Sequence, residues 1–352
     1  MESLRGQEQI WQLMFSFVDS MALKCAIELR IADIIHSHGK PITLSQIASG
    51  IRSNSNSSIS PNIPYLSRIM RFLVRKNIFT EHQEDNDEVI SLYGLSDSSR
   101  WLLRDFKSSL APMVLMQTHP LSMAVWHFLE DYVRNSSNTF EKAHGCNIWE
   151  FSSANPEFNK IFNNAMASIV PIYMGAMLSS YKDGLGCIKG TVVDVGGGTG
   201  GSISELMKYY PNIKGINFDL PHVIATAPAL DGVTHISGDI FESIPSADAV
   251  LMKGVLHCFS DEKCVKVLRN CRKAITDKKN GKIIILEIVL DPTSNQIFDE
   301  TRMVYDLLIP LFSGGKERTE LEWKRLLNEA GFTCIKITKI PIIPAIIEAF
   351  LV

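Results

Sequence analysis

Two periodicities divide this chain. Up to residue 182, apolar side chains recur at helical spacing. From Thr191 onward they fall into short apolar runs separated by helical stretches. Residues 8–37 carry the first helical pattern, with Ile10, Leu13, Met14, Phe17, Ile27, Ile31, Ile34 and Ile35 on it. Gly39 and Pro41 stop it. Leu44–Ala48 reads as a short helix opened by a Thr43 cap. The Ser/Asn stretch 53–60 reads as a loop. Residues 61–78 read as a helix with Leu66, Ile69, Met70, Leu73 and Val74 inward, 81–88 as an acidic turn, and 89–93 as a strand. Short helices followed by a β-wing predict a winged-helix-like first domain. Residues 110–182 read as all-helical and rich in Met and aromatics, which fill a core or line a pocket for a flat ligand.

The second half predicts strands at 191–195, 214–219, 233–237, 247–253 and 282–290. Helices at 201–210, 221–229 and 261–276 separate them, and two more strands lie in 334–351 around Pro341 and Pro344. Such alternation argues an α/β domain, a parallel sheet with helices on both faces. Ligands of such sheets bind at the carboxyl ends of the strands.

Composition narrows the class. The 352 residues are 45% hydrophobic and 21% charged with a net charge of -3, so no large field favours nucleic acid or an anionic membrane. The polar segment 1–9 has no signal-peptide core, and no apolar run is read as reaching membrane-spanning length. The 7 Cys are scattered without a CxxC pair, and Cys264 and Cys271 share one helix face pointing to a core. Dispersed thiols fit a reducing compartment, so a cytoplasmic protein is expected.

The chemistry begins at Val192-Val193-Asp194-Val195-Gly196-Gly197-Gly198-Thr199-Gly200-Gly201, a strand that breaks into a glycine loop before a helix. Such a unit lets backbone N–H groups approach a ligand closely. Gly196, Gly198 and Gly201 fit the dinucleotide GxGxxG. Gly196, Gly198 and Gly200 fit the GxGxG of S-adenosylmethionine enzymes. Asp194, inside the strand, is not asked for by the dinucleotide fingerprint. Asp219 closes the next strand, placed for ribose hydroxyls under either reading. Asp239 follows the third strand, where it can accept from an adenine amino group while Ile240 or Phe241 covers the ring. Any one of these acids taken alone reads equally well as a cap or turn residue.

His257 falls just past the fourth strand, anchored by a Ser260 cap with Asp261 and Glu262 in the following helix's first turn. Glu287 lies near the end of the fifth strand. A carboxylate in so apolar a run needs a partner, and His257 is one strand away. Glu317 follows Gly314-Gly315, either as part of a surface charge run or as a second acid for the same site. A His with two carboxylates suits proton abstraction. Taking a proton from a phenol of pKa about 10 with an imidazole of about 6.5 is uphill by roughly 5 kcal/mol, which base assistance and a nearby sulfonium would offset. No zinc-like or magnesium-like spacing is read in the sequence, and no metal is expected.

VVDVGGGTG at 192–200, NFDLPHV at 217–223, GDIFESIP at 238–245, LHCFSDE at 256–262 and GGKERTE at 314–320 follow one another in a telling order. On these motifs the chain resembles the plant small-molecule O-methyltransferases that act on caffeic acid, flavonoids and isoquinoline alkaloids. In character it looks nearest the reticuline 7-O-methyltransferase type. The resemblance implies a Rossmann-like class I methyltransferase sheet, with an N-terminal mainly helical winged-helix-like dimerisation domain. It divides the chain into 1–110 for dimerisation, 111–182 as a helical acceptor-pocket segment, and 183–352 for donor binding and catalysis. It implies a homodimer with S-adenosyl-L-methionine as donor and a small phenolic acceptor, and neither nucleic acid nor membrane as partner. Donor contacts are implied at Gly196, Asp219, Asp239, Ile240 and Lys253. His257 is implied as the base, flanked by Glu287 and Glu317, with Phe162, Met166, Met303 and Asp306 in the acceptor-pocket region.

Three positions depart from the family pattern. Cys258-Phe259 stands where Asp-Trp is usual, Gly254 where a bulky residue is usual, and Ala167-Ser168-Ile169-Val170-Pro171 where Asp and Ser are common. These departures predict altered turnover or an unusual acceptor. Unchanged activity after restoring Asp at 258 and Trp at 254 would count against that. Other readings are a catalytically weak paralogue acting in a heterodimer, a winged-helix DNA-binding regulator and a dehydrogenase. The three site residues argue against the first, and the missing basic footprint before residue 110 argues against the second. The third rests on GxGxxG alone.

Overall fold

The computed structural model describes residues 2–54, 60–85, 89–136, 138–277 and 280–351. The chain forms two compact units, Met1–Ser122 and Met123–Val352.

In the first unit the long helical pattern is three helices, Glu2–Met14, Phe17–Glu28 and Ile31–His38. Arg30 adopts a left-handed backbone (φ 57°) that turns the chain between the last two, which periodicity does not register. The strand β1 (Ile42–Thr43) leads into the helix Leu44–Asn54, longer than expected and capped as expected. Thr43 Oγ1 accepts from the Gln46 N–H at 3.3 Å, and Gln46 Oε1 accepts from the Thr43 N–H at 2.9 Å. The next helix, Ile63–Arg75, starts where Asn62 Oδ1 accepts from the Tyr65 N–H at 3.1 Å. Residues 81–85, read as a turn, belong instead to β2 (Phe79–Asp85), a polar strand paired antiparallel with β3 (Val89–Leu95). Residues 86–88, the rest of that turn, and 55–59, most of the Ser/Asn loop, lie outside the described residues. Ile31, Ile35, Ile42, Ile47, Met70 and Phe79 form the core of this unit. By contrast Ile10, Trp11, Leu13, Met14 and Phe17 are exposed. The periodicity gives a stripe but not what covers it.

In the second unit, helices run from residue 123 to 186, as expected. Then come β4 (Gly190–Val195), β5 (Ile213–Asp219), β6 (Val233–Ser237), β7 (Ala249–Lys253), β8 (Lys282–Glu287), β9 (Val289–Leu290), β10 (Arg318–Thr319), β11 (Thr333–Thr338) and β12 (Ala345–Phe350). Among the described residues seven of these form one sheet, ordered β11-β12-β8-β7-β4-β5-β6. The pairs from β8 to β6 are parallel, and β12 runs antiparallel between β8 and β11. The helix expected over 221–229 stops at Ile224, because Pro228 lacks a donor and disfavours helix in the residue before it. The strand expected over 282–290 divides at Ile288. Its last two residues leave the sheet and pair in parallel with β10.

Both faces of the sheet are covered, which is why its strands read as nearly continuous apolar runs. Val193, Val250, Met252 and Ile285 meet Cys264, Leu268, Cys271 and Trp323 on one side. The two cysteines sit in the core, as their spacing predicts. On the other side Val192, Leu251 and Ile284 meet Met174, Met177, Leu178, Ile203 and Leu206. The helical stretch Pro156–Ser180 is long and apolar enough to cross a membrane, and the bent pair Ser3–Met14 and Phe17–Glu28 passes the same test together, contrary to the expectation from sequence. In Pro156–Ser180 the apolar residues Val170, Met174, Met177 and Leu178 lie against the sheet.

Candidate active site

The glycine loop is bent by its glycines. Gly196, Gly198 and Gly200 have φ of 68°, 59° and 86°, which other residues adopt at a cost. The end of β5 fastens the loop. The Gly196 N–H donates to Phe218 O at 2.8 Å, and Asn217 Nδ2 donates to Gly198 O at 2.9 Å. Asp219 accepts from the Gly198 and Leu220 N–H groups, both at 2.7 Å. Beneath the loop lies Asp194, 1% exposed; among the described residues neither of its carboxylate oxygens nor Asn217 Oδ1 meets a partner at full hydrogen-bond geometry. A Cβ on Gly197 would lie 2.2 Å from Asn217 Oδ1 and 2.7 Å from Asp194 Oδ2, so the loop closes directly over them.

Burial pushes the Asp194 carboxyl up to about 7, against the pull of Lys253 and with the push of Asp219. Asp219 is raised too, by burial that its two N–H donors only partly offset. Lys253, ending β7, is held low by burial, while Asp194 and Glu287 pull it up. This chemistry separates the two cofactor readings. A pyrophosphate would face two crowded carboxyls. A ligand offering ribose hydroxyls and an ammonium group would supply the donors that those acceptors lack. Asp239 lies past β6, exposed, with Oδ1 accepting from the Phe241 N–H at 2.8 Å. Asn270 Nδ2 donates to Ile240 O at 3.0 Å and fixes the half-buried Ile240.

Past β7, Gly254 turns the chain at φ 65°, and Leu256–Cys258 form one 3-10 turn. Glu287, 2% exposed at the end of β8, caps that turn. Its Oε1 accepts from the N–H groups of Val255 (2.8 Å), Leu256 (2.8 Å) and His257 (3.4 Å). Its Oε2 lies 3.5 Å from His257 Nδ1. Glu317 Oε1 is nearer to that nitrogen, at 2.8 Å. Nδ1 therefore donates to Glu317, and Nε2 is the nitrogen left on the side of Gly254, 3.8 Å from where a Cβ would stand. Burial disfavours the imidazolium, yet Glu287, Cys258 and Glu317 outweigh it and raise His257 well above its ordinary value. Glu317 is raised by burial, with His257 pulling it down. The Nδ1 atom and one oxygen of each Glu lie within 4.8 Å of one another, and the cation they share here is a proton.

Glu317 reaches His257 through the β9–β10 ladder, where Arg318 pairs with Val289. Gly315 permits it: a Cβ there would lie 1.9 Å from His257 O. Lys316 N–H donates to that same oxygen at 2.9 Å. Arg318, fully buried, donates to Leu256 O at 3.2 Å and Phe259 O at 2.8 Å and pairs with Asp261. Sequence reading passed over this strap, whose only signal was an arginine inside the GGKERTE run. Of the expected pocket residues, half-buried Phe162 meets Trp149 edge-on at 6.4 Å, and Trp149 reaches Phe259 at 6.4 Å. Met166 is half-buried and Met303 is 55% exposed. Asp306 is half-buried, and burial raises its carboxyl.

Gly254 departs from the family pattern at a left-handed position, where any side chain costs about 1 kcal/mol. Gly254→Ala is therefore expected to lower stability by about that amount with little change in turnover. Gly254→Trp should in addition raise the acceptor KM, because its ring must lie beside His257 Nε2. Thermal melts and initial rates check both.

The strand order, with its antiparallel penultimate strand and its ligand loop after β4, is that of class I S-adenosylmethionine-dependent methyltransferases. Human N-acetylserotonin methyltransferase, solved in complex with SAM, shares the fold at a TM-score of 0.84 and 22% identity, over 98% of this chain and 97% of that one. The O-methyltransferase domain model matches residues 126–333, and that of the O-methyltransferase dimerisation domain matches 11–105. Desmethylxanthohumol 6'-O-methyltransferase of Humulus lupulus is 99% identical over the full length of both chains. (R,S)-reticuline 7-O-methyltransferase of Papaver somniferum is 52% identical over 99% of this chain and 98% of its own. The chain belongs to the plant small-molecule O-methyltransferase family. It is an enzyme that methylates phenolic hydroxyls with S-adenosylmethionine as donor.

Proposed function

We propose that the acceptor is desmethylxanthohumol, methylated at its 6'-hydroxyl, with His257 as the base. The observation that supports the acceptor is 99% identity to the Humulus lupulus enzyme across the whole of both chains. Purified protein, given desmethylxanthohumol, xanthohumol and reticuline in parallel with labelled donor, should convert the first fastest and yield the 6' ether by NMR. A preference for reticuline, or methylation elsewhere on the ring, overturns the assignment.

The donor supplies a methyl group on a sulfonium. Gly196 and the loop N–H groups take its amino-acid end, Lys253 offers a cation to its carboxylate, and Asp219 accepts from the ribose hydroxyls. Asp239 and Ile240 receive the adenine. On the acceptor side, His257 Nε2 accepts the phenol proton, because Nδ1 is already committed to Glu317. Glu317 stabilises the imidazolium as it forms, and Glu287 holds the turn that carries the ring. The raised proton affinity of His257 narrows the gap to the phenol. The same rise places the activity limb above the ordinary imidazole value, with turnover increasing as pH rises through it and the imidazole becomes neutral. Phe162, Met166, Met303 and Asp306 belong to the acceptor side in this reading.

Asp219→Ala should weaken donor binding about 10- to 100-fold by calorimetry, since a charge-assisted hydrogen bond is worth about 1.5–3 kcal/mol. The loop also loses its fastening to β5 at Gly198. Unchanged donor affinity would remove Asp219 from the donor site. A homodimer is the assembly that the matched dimerisation domain and the exposed stripe around Ile10, Trp11 and Leu13 favour. The cytoplasm is the compartment that suits seven free thiols.

A further inference from the structure

Gly198 is gripped at both ends of its backbone. Its N–H donates to Asp219 Oδ2 at 2.7 Å, and its oxygen accepts from Asn217 Nδ2 at 2.9 Å. Asn217 is fully buried, so the way its amide faces decides whether the loop is held or repelled. Turned over, the amide would set its own oxygen against the Gly198 oxygen, and neither can donate. A second partner has to fix the choice.

That partner is His235. It stands opposite Asn217 in the register of β5 and β6. His235 Nε2 lies 3.0 Å from Pro228 O, which can only accept, so Nε2 carries the ring proton. Nδ1 of the neutral ring is then a bare acceptor, 3.1 Å from Asn217 Nδ2. The two protons on Nδ2 are thereby matched, one to the loop and one to the ring. The ring also packs against the loop. A Cβ on Gly200 would lie 3.0 Å from both His235 Cε1 and Leu230 Cδ1. None of the sequence motifs includes His235.

We propose that His235 is a positioning residue for the donor loop: Nδ1 accepts from Asn217, so that the amide faces Gly198 O, and Nε2 ties the ring to Pro228. The proposal rests on the reading of the glycine loop as the donor site, and it is independent of the acceptor and of the base. Its effect falls on donor affinity and not on methyl transfer, because the relay ends on Gly198 and Pro228 and not on the turn after β7.

Three substitutions divide the ring's two bonds. His235→Leu removes both. His235→Asn keeps an acceptor oxygen on the carbon that bears Nδ1. His235→Gln keeps an N–H group at the reach of Nε2 and leaves the place of Nδ1 empty. The residue is half-buried on the outermost strand of the sheet, so its variants should fold. Calorimetric titration with S-adenosylmethionine should show donor binding about tenfold weaker in His235→Leu and His235→Gln, the worth of one hydrogen bond. His235→Asn should recover most of that loss. In all three, kcat at saturating donor and acceptor KM should stay within about twofold of wild type. In the wild-type protein, 15N NMR of the His235 ring, assigned by its loss in His235→Asn, should place the proton on Nε2.

Unchanged donor affinity in His235→Leu overturns the proposal, even where melting temperature falls, since that marks a histidine that only stabilises the fold. Affinity in His235→Asn no better than in His235→Leu overturns it too, as does a ring proton on Nδ1. Asp219→Ala separates these failures from a misassigned donor site. If Asp219→Ala weakens donor binding and His235→Leu does not, the relay alone is wrong. If neither does, the donor site is wrong as well.

Discussion

His257→Ala is expected to cut kcat by two to four orders of magnitude while donor binding stays within about twofold of wild type. The two effects separate because the ring and the donor loop stand on different strands. His257 follows β7 and is oriented by Glu317, whereas the loop follows β4 and is fastened to β5. The cavity left by the imidazole cannot be filled by Glu317 acting as base, since its nearer oxygen lies on the Nδ1 side of the ring. Single-turnover rates with labelled donor and calorimetric donor titrations measure the pair of quantities. Near-normal turnover in the variant would mean that alignment of the two substrates alone carries the transfer.

The second large effect is expected at Glu287. Glu287→Ala removes the acceptor for three buried or half-buried N–H groups, those of Val255, Leu256 and His257. Orphaned donors cost about 1–3 kcal/mol each before relaxation, so a loss of about 3 kcal/mol is expected. For a unit of this size that corresponds to a fall in melting temperature of roughly 6–12 °C. Turnover should drop at least 100-fold, because the turn that aims the ring loses its cap. Glu287→Gln keeps one acceptor oxygen and should recover most of the stability but less of the turnover, since the charge beside Nδ1 is gone. Equal recovery of both would show that the Glu287 charge contributes nothing to the base.

The donor side was legible in the sequence because each element carries its own short-range signal. Asp194, the glycines and Asp219 sit at strand ends that periodicity locates to within a residue or two. The acceptor side was legible only through motifs. Glu317 and His257 are sixty positions apart, joined by a ladder of two residues per strand that no periodicity reveals. Misread elements have local causes. A left-handed Arg30 broke a helix, Pro228 ended one early, and the polar side chains of β2 made a strand look like a turn.

The β9–β10 ladder works as a fuse. Its two residue pairs, with the Lys316 N–H on His257 O and Arg318 on Leu256 O and Phe259 O, hold Glu317 against His257, while the donor loop is held by a seven-stranded sheet. Mild denaturant should release residues 313–319 long before it loosens β4 and β5, giving an enzyme that still binds donor but no longer turns over. The same weakness is an opportunity for engineers. After β8 the chain leaves the sheet at Ile288 and rejoins it only at β11, and this excursion bears Met303, Asp306 and Glu317. Exchanged between relatives with its Arg318 contacts kept, it is expected to change acceptor KM more than donor affinity.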